Sequence, residues 1–330
     1  LGAGNSTVNV TAGNGQNATL TFGSLTPAAG AAVNFTAGLG QTLGGAPKVV
    51  FTGAPLPVNG VLRRATTTDA TTFAGNTTGF NLATYGGTGV VAQTAYTALP
   101  TAGGSATTNY IVTASTTLTG AVAANAVLVV GDGVVVNGAG SLALGGAAAV
   151  ASVGGTTTGN TIAVPVAFGA TEGLFQTSTG TTTVSGAVGG TAGVTIGGAG
   201  GLTLSGANTY TNTSAVQTVA VTGAPTGGTF TLTFNGAATA AIAFNAAAAN
   251  VQAALAALPN VGAGNVSVTG TNPSFTVTFT GALAGTPVNA LALGTNGLTG
   301  GTTPSVSVTV TTAGVNATTL AGGTLTLAGG

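Results

Sequence analysis

The sequence contains no cysteine, histidine, methionine or tryptophan. Without cysteine and histidine, the chain cannot form a disulfide, a thiolate nucleophile, a Ser-His-Asp triad or one of the common zinc sites. The lack of cysteine leaves the redox compartment open, because it fits both oxidising and reducing surroundings. We therefore expect no metal ion and no cofactor.

Charge is the second deficiency, at 2% of the 330 residues against a usual value of about 25%. With so few charges, no basic or acidic face can recruit nucleic acid or an anionic membrane, so neither is expected as a partner. No run of 18 apolar residues exists either, which argues against a membrane span. A neutral surface favours an extracellular, assembled protein, because soluble cytosolic proteins usually keep about 25 to 35% charge. The charged residues are Lys48, Arg63, Arg64, Asp69, Asp132 and Glu172.

Glycine is abundant instead, with 59 residues, and it punctuates a recurring motif. The stretch from Gly201 to Ser214 reads GLTLSGANTYTNTS, and with Gly200 before it gives a Gly-x-Leu-x-Leu core that recurs from Gly140 and from Gly323. Each copy alternates apolar and small residues between glycines, which is typical of a short strand between tight turns. The 61 residues from Gly140 to Gly201 equal about three turns of roughly 20 residues, so the motif predicts the stacked rungs of a solenoid.

The pattern predicts a mostly β protein with five segments. Short strands at regular spacing predict β-helix rungs over residues 1–59 and again over 110–214. Residues 60–109 hold both arginines and an aromatic cluster, and we expect a loop-rich excursion packed on the side of the solenoid, because a charged, irregular piece cannot fill a rung interior. Residues 215–313 predict an inserted small α+β or β-sandwich-like module, and 314–330 a returning β-helix strand.

The inserted module has local signals of its own. Asn235-Gly236 lies between two alternating runs, which is a strong hairpin signal. A helix is predicted from Ala246 to Leu258, with Asn245 as its N-cap, and a later strand from Val288 to Leu293. A separate aromatic core is expected from Phe230, Phe234, Phe244, Phe275 and Phe279.

Three stretches resemble bacterial surface-protein families. The first stretch resembles the autotransporter-associated β-strand repeat. The residues that match its motif are Gly201, Leu202, Thr203, Leu204, Ser205, Gly206, Asn208, Thr209 and Tyr210. Phe80 to Ala95 resembles a segment that often precedes such repeats, and VQAALAAL from Val251 to Leu258 is similar to a helix in a repeated domain of giant bacterial surface proteins. The resemblance implies a right-handed parallel β-helix and an extracellular or bacterial cell-surface location, after removal of a signal peptide. It implies no activity.

Few residues could carry catalysis. A pair of carboxylates for glycoside hydrolysis would have to come from Asp69, Asp132 and Glu172, which lie in different segments. Asp132, between two glycines, is better explained as a turn residue than as a calcium ligand. Arg63 and Arg64 are interpreted as a solvated pair, or as partners for Asp69 or Glu172, rather than as a ligand clamp. We therefore predict that the chain is not an enzyme.

The functional prediction is based on the two ends of the predicted solenoid. A β-helix exposes unpaired strand edges, and monomeric ones block them with caps, charges or prolines. No charge precedes Lys48, and the last motif copy is a bare strand. We therefore expect a homopolymer in which subunits stack head to tail into an extracellular filament or surface matrix fibre. The predicted contact joins Thr7, Val8 and Val10 of one subunit to Thr324, Leu325, Thr326 and Leu327 of the next.

Two other functions stay open at this point. The chain also fits a monomeric adhesin or stalk passenger that binds a surface glycan or matrix through its module or loops. A polysaccharide-processing β-helix enzyme is the third interpretation, although it needs clustered acids and bases that this composition lacks.

Overall fold

A computed structural model describes residues 2, 4–28, 30–211, 213–286, 288–314 and 318–327. The protein is mostly β and contains parallel sheets, as the sequence predicts. It divides into two compact units, unit 1 (Leu1–Thr211 with Thr318–Gly330) and unit 2 (Asn212–Ala317). The predicted module, residues 215–313, falls within unit 2.

The elements are numbered in chain order. The first part of unit 1 contains β1 (Gly4–Val10), β2 (Ala18–Phe22), β3 (Ala31–Ala37), β4 (Pro47–Phe51), β5 (Ala65–Thr68), β6 (Phe80–Gly86), β7 (Gly89–Ala92), β8 (Thr97–Ala98) and β9 (Gly103–Gly104). The second part contains β10 (Asn109–Val112), β11 (Thr116–Leu118), β12 (Ala121–Val130), β13 (Val135–Gly138), β14 (Ser141–Val153), β15 (Asn160–Ile162), β16 (Val166–Ala167), β17 (Gly173–Thr177), β18 (Thr181–Val184), β19 (Val188–Gly189), β20 (Val194–Gly198) and β21 (Gly201–Leu204). Unit 2 contains β22 (Val216–Thr222), β23 (Gly227–Phe234), β24 (Ala237–Ala238), β25 (Ile242–Ala243), the helix α1 (Ala248–Ala256), β26 (Val266–Thr271), β27 (Ser274–Phe279), a 3-10 helix (Gly281–Leu283), β28 (Ala292–Thr299) and β29 (Ser305–Thr312). Unit 1 then resumes with β30 (Thr318–Leu320) and β31 (Thr324–Leu327).

From β10 onward, the main path of unit 1 alternates between two parallel sheets. The larger sheet follows the order β8-β10-β12-β14-β17-β20-β30, and the smaller one follows β11-β13-β15-β18-β21-β31. In the smaller sheet Thr117 pairs with Asn137, and their side chains are hydrogen-bonded across a sequence separation of 20 residues. The pairing of Gly201 with Thr324 continues the same order after unit 2.

The side chains between these two sheets form ladders of buried apolar residues. Strand geometry places every second side chain inward, and parallel pairing puts equivalent positions on top of one another. Burial of each such side chain stabilises the fold by roughly 1.5–3 kcal/mol. The ladder of the larger sheet consists of Tyr110, Val127, Val150, Phe175 and Ile196, and that of the smaller sheet of Val136, Ile162, Val184 and Leu204.

The strands of residues 1–59 lie in two further sheets, one of which also contains strands from residues 60–109. β1, β3 and β5 pair in parallel, β6 and β7 extend that sheet by antiparallel pairing, and β2 pairs with β4. The 60–109 segment, predicted to be loop-rich, contains the short strands β5 to β9. Its polar residues are accommodated by side-chain hydrogen bonds, such as that from Asn76 Nδ2 to Phe80 O (2.8 Å), so polarity did not prevent pairing.

Unit 2 consists of two antiparallel sheets and one helix. One sheet has the order β26-β27-β22-β29, and the other is built on β23, which pairs with β24, β25 and β28. The predicted hairpin is confirmed, since Asn235 (φ 46°) and Gly236 (φ 83°) have the positive φ angles of a type I′ turn. Phe230, Phe234, Phe275 and Phe279 are buried in the core as predicted, and Phe244 packs at its margin.

Two elements of unit 2 differ from the prediction. The helix begins after Ala247 rather than Asn245, because a turn from Ala243 O to Ala246 N (3.0 Å) precedes it, and Asn250 Oδ1 accepts a hydrogen bond from Ala247 N (3.2 Å). The strand predicted at 288–293 lies at 292–299, where glycine and asparagine give weak strand propensity and pairing with β23 determines the position of the strand. No helix in the described part of the chain has the length and apolar content needed to cross a membrane.

We expect unit 2 to fold by itself. Its apolar core is formed by its own sheets and helix, so residues 212–317 expressed alone should unfold cooperatively with a native-like β spectrum. Circular dichroism during thermal unfolding measures this. A broad, non-cooperative transition would contradict the expectation, and Phe275→Ala, which removes a fully buried side chain, should lower the stability of the fragment by about 3–5 kcal/mol.

Candidate assembly surface and charged cluster

Both apolar ladders of unit 1 continue to exposed leucines. Ile196 pairs with Leu320 on β30, and Leu204 pairs with Leu327 on β31. Leu320 is 48% exposed and Leu327 is 63% exposed. At the other end of the smaller sheet, Leu118 on β11 is fully buried. Within the described residues, the two-sheet core is therefore open at β30 and β31 and covered at β11.

The residues of the predicted interface lie on two strands with free edges. Among the described strands, β31 pairs only with β21, and β1 pairs only with β3. The threonines of β31 and Thr7 of β1 are exposed, whereas Val10 is buried. The predicted residues are Thr7, Val8 and Val10 on β1, and Thr324, Leu325, Thr326 and Leu327 on β31.

The structure places these two edge strands at the same end of unit 1. β6 packs beside β14 and β3 packs beside β20, so the strand order of the first sheet follows that of the larger sheet in space. Asn5 of β1 lies against Gly322, just before β31. A head-to-tail contact of β1 with β31 needs the two edges at opposite ends. Copies related by translation along the stack therefore cannot form the predicted pairing, while the role of these residues in assembly stays a prediction.

Three of the six charged residues meet in a cluster within unit 1, in which Glu172 is buried and both arginines are partly buried. Arg64 forms an ion pair with Glu172, whose Oε1 also accepts a hydrogen bond from Gly30 N (3.3 Å). Arg63 donates from Nε to Ala147 O (3.1 Å) and from Nη2 to the backbone O of Glu172 (2.8 Å). The cluster thus joins the segment before β5 to β14 and to the start of β17. Of the alternatives left open by the sequence, the structure selects Arg64 and Glu172 as partners.

Burial weakens the basicity of both arginines. Desolvation lowers the pKa of Arg63, and desolvation together with repulsion from Arg63 lowers the pKa of Arg64 to about 10. A guanidinium with a pKa of about 10 is still protonated at neutral pH. The cluster therefore contains two positive charges and one negative charge.

The other two carboxylates have structural hydrogen bonds elsewhere. Asp69 accepts from the backbone N of Leu43 (2.8 Å) and of Thr71 (2.9 Å), and Asp132 accepts from the backbone N of Thr156 (2.7 Å). The described residues contain no group of three histidine, cysteine or acidic side chains that could hold a metal ion. The structure thus does not assemble Asp69, Asp132 and Glu172 into a catalytic site.

A buried asparagine network is the feature that the sequence analysis missed. Asn125 Nδ2 donates to Asn109 Oδ1 (2.7 Å) and Val58 O (3.0 Å), and its Oδ1 accepts from Ala147 N (2.8 Å) and Asn59 Nδ2 (3.2 Å). Its side chain is fully buried, so these bonds replace the water that it loses. The sequence signal for this network is a single asparagine, Asn125, within the apolar run AVAANAVLVV.

The chain is similar to known proteins over only part of its length. No family model matches the chain. A tail sheath protein of Mycobacterium phage Bxz1 is 46% identical over 90 residues, which are 27% of this chain and 14% of that protein. A solved structure from Mycobacterium phage Patience is 29% identical, with 31% of this chain and 38% of that chain covered and a TM-score of 0.23. The chain is therefore similar, over about a quarter of its length, to a phage tail sheath protein of which it spans 14%.

Proposed function

We propose that the protein is a structural subunit that assembles with copies of itself into a filament or surface array. The observation that carries this proposal is the open end of unit 1, where exposed leucines adjoin unpaired strand edges. None of the six charged residues lies on β1, β30 or β31, so no charge there opposes edge pairing. The name of the Bxz1 relative, tail sheath protein, supports a structural and polymer-forming role rather than catalysis.

We further propose that unit 1 is a parallel β-solenoid with unit 2 inserted into one of its turns. The alternation of the chain between two parallel sheets and the return of β30 and β31 to β20 and β21 support this winding. The right-handed sense and the autotransporter-type repeat are part of the proposal and rest on the sequence resemblance. An extracellular or bacterial cell-surface location is also proposed, and the phage origin of the Bxz1 relative provides the virus particle as the alternative location.

The shared end of β1 and β31 suggests how two copies would meet. In this arrangement the open ends of two copies face each other about a two-fold axis, which lets the same surface serve both subunits. Edge strands would then supply hydrogen bonds, and the exposed leucines would supply apolar contact. Growth of a filament from such pairs would use a second surface.

Lysine substitution at the open end tests self-assembly. We expect the double variant Thr324→Lys, Thr326→Lys to stay monomeric under conditions in which the wild-type protein associates, because it places two positive charges on the β31 edge. Sedimentation velocity measures the state of association, and negative-stain microscopy shows its form. The control variant Thr302→Lys, Thr309→Lys places the same charges on exposed threonines of unit 2 and should associate like wild type.

The form of the wild-type particles separates the possible arrangements. Discrete particles of two subunits would support the two-fold contact, and long fibres with a repeat of one subunit would support head-to-tail stacking through other strands. Wild-type protein that stays monomeric, or a β31 lysine variant that associates unchanged, would contradict assembly through this end.

A monomeric glycan-binding protein is the second candidate, favoured by a groove in unit 1 that several amide and hydroxyl side chains line. The groove has a volume of about 280 Å³, and Asn5, Asn34, Thr68 and Ser178 are among its lining residues. The Oγ atom of Ser178 is buried and has no hydrogen-bond partner among the described residues. Neutral amides and hydroxyls can pair with the hydroxyls of a sugar, so binding of monomeric protein to a glycan array would favour this function.

A further inference from the structure

The Arg63–Arg64–Glu172 cluster is short of one negative charge. Glu172 is the only acidic residue that forms an ion pair with either arginine in the described chain, and it is committed to Arg64. Arg63 is held by two backbone carbonyl oxygens, which accept hydrogen bonds but carry no full charge. Its Nη1 atom has no acceptor among the described residues. A partly buried positive charge without a counter-charge loses part of its hydration, and an anion beside it would offset that loss.

A cleft in unit 1 gives access to these arginines. It has a volume of about 300 Å³, which is at the lower end of small-molecule sites, and both Arg63 and Arg64 line it. The rest of its lining comes from the β2–β3 and β4–β5 connections, including Leu25, Pro27 and Leu56. Leu56 is 89% exposed. The cleft therefore combines a cationic end with an apolar rim.

We propose that this cleft binds a small organic carboxylate, whose anionic group pairs with Arg63 and whose apolar body lies against Leu25, Pro27 and Leu56. Nε and Nη2 of Arg63 already donate to backbone oxygens, so its Nη1 group is the donor for the ligand, and a charge-assisted hydrogen bond to a carboxylate is stronger than one to a neutral acceptor. The apolar rim distinguishes such a ligand from an inorganic anion, because burial of an alkyl or aryl group adds affinity that a hydrated anion does not gain. This site lies apart from the β31 edge, so the proposal does not depend on self-assembly.

Titration with benzoate, followed by ligand-observed NMR on the full chain, tests the proposal. Benzoate should bind to the wild-type protein, and benzamide, which has nearly the same shape without the charge, should bind at least about tenfold more weakly. Arg63→Gln should weaken benzoate binding by at least about tenfold. Lys48→Gln removes one positive charge from β4, outside the cleft, and should leave benzoate binding unchanged.

A second test uses a carboxylate supplied by the chain itself and does not require substitution of Arg63. Leu56→Glu places a tethered carboxylate at the exposed rim of the cleft, where it should compete with benzoate, whereas Leu56→Gln alters the rim without adding charge. We expect benzoate to bind the glutamate variant at least about tenfold more weakly than the glutamine variant. The same comparison should show a higher unfolding temperature for Leu56→Glu, since the added anion offsets the unpaired charge.

Three results would overturn the proposal. These are no measurable binding of benzoate to the wild-type protein, equal binding of benzoate and benzamide, and equal benzoate binding by the two Leu56 variants. If Arg63→Gln fails to fold, the Leu56 pair still decides, because that position is exposed.

Discussion

Replacing Glu172 with glutamine should destabilise unit 1 by about 3 kcal/mol, because it leaves the largely buried guanidinium of Arg64 without its counter-charge. Glutamine is close to glutamate in shape, so the loss reports charge rather than a cavity. Its amide oxygen can still accept the hydrogen bond that Thr195 Oγ1 donates to Glu172 Oε1 (2.5 Å). The free energy of unfolding in urea measures the effect.

Tyrosine fluorescence makes this measurement specific to unit 1. The chain has four tyrosines and no tryptophan, and all four tyrosines lie in unit 1, at Tyr85, Tyr96, Tyr110 and Tyr210. The signal therefore follows the unfolding of unit 1 even if unit 2 unfolds separately.

The control for Glu172→Gln is Asp132→Asn. Asp132 is exposed, and an asparagine can keep its hydrogen bond from Thr156 N, so we expect a change below about 1 kcal/mol. The double variant Arg64→Gln, Glu172→Gln should lose less than the sum of the single variants, because it removes both partners together. Equal stability losses for Glu172→Gln and Asp132→Asn would show that the ion pair does not hold the first sheet to β14 and β17.

Replacing Asn125 with alanine should cost roughly 3–5 kcal/mol, since several buried groups lose their hydrogen-bond partners at once. Val58 O and Asn109 Oδ1 lose a donor, and Ala147 N and Asn59 Nδ2 lose an acceptor. The side chain also lies where the pairing of β12 with β14 shifts register, so its bonds bridge an irregular point of the sheet. Urea unfolding followed by tyrosine fluorescence again gives the free energy of unfolding.

Asn137→Ala is the matched control for this change. Asn137 lies on β13, is exposed, and accepts one side-chain hydrogen bond from Thr117 (2.8 Å), so its removal should cost less than about 1 kcal/mol. If Asn125→Ala were no more destabilising than Asn137→Ala, the buried network would not be a determinant of the fold.

The local pattern of the chain was sufficient to predict many strands. Strands occur at the motif copies that begin at Gly140, Gly200 and Gly323, and Leu142 and Leu202 of that motif are buried as the alternation requires. The same motif from Gly323 has the same local structure, yet Leu327 is exposed, because no described strand covers β31. Burial at that position depends on the stack and not on the motif.

Contacts between distant segments could not be predicted in this way. The sequence left several pairings of the arginines with acidic residues possible, and the structure shows the pair Arg64–Glu172. Asn125 is hydrogen-bonded to Asn59 across a sequence separation of 66 residues. The strands of 60–109 were missed because polar residues there are satisfied by neighbours such as Asn76, which a pattern of hydrophobicity does not register.

That the protein is mostly β follows from the two-residue alternation between glycines, and the low charge is likewise a property of the chain that does not depend on how it folds. Which strand edges are free, and where they lie, depends on the fold. Strand pairing over long separations sets the order of the sheets, and this order places β1 and β31 at one end and both arginines beside a cleft. Such placement depends on the sum of many weak long-range contacts, which no single stretch of sequence contains.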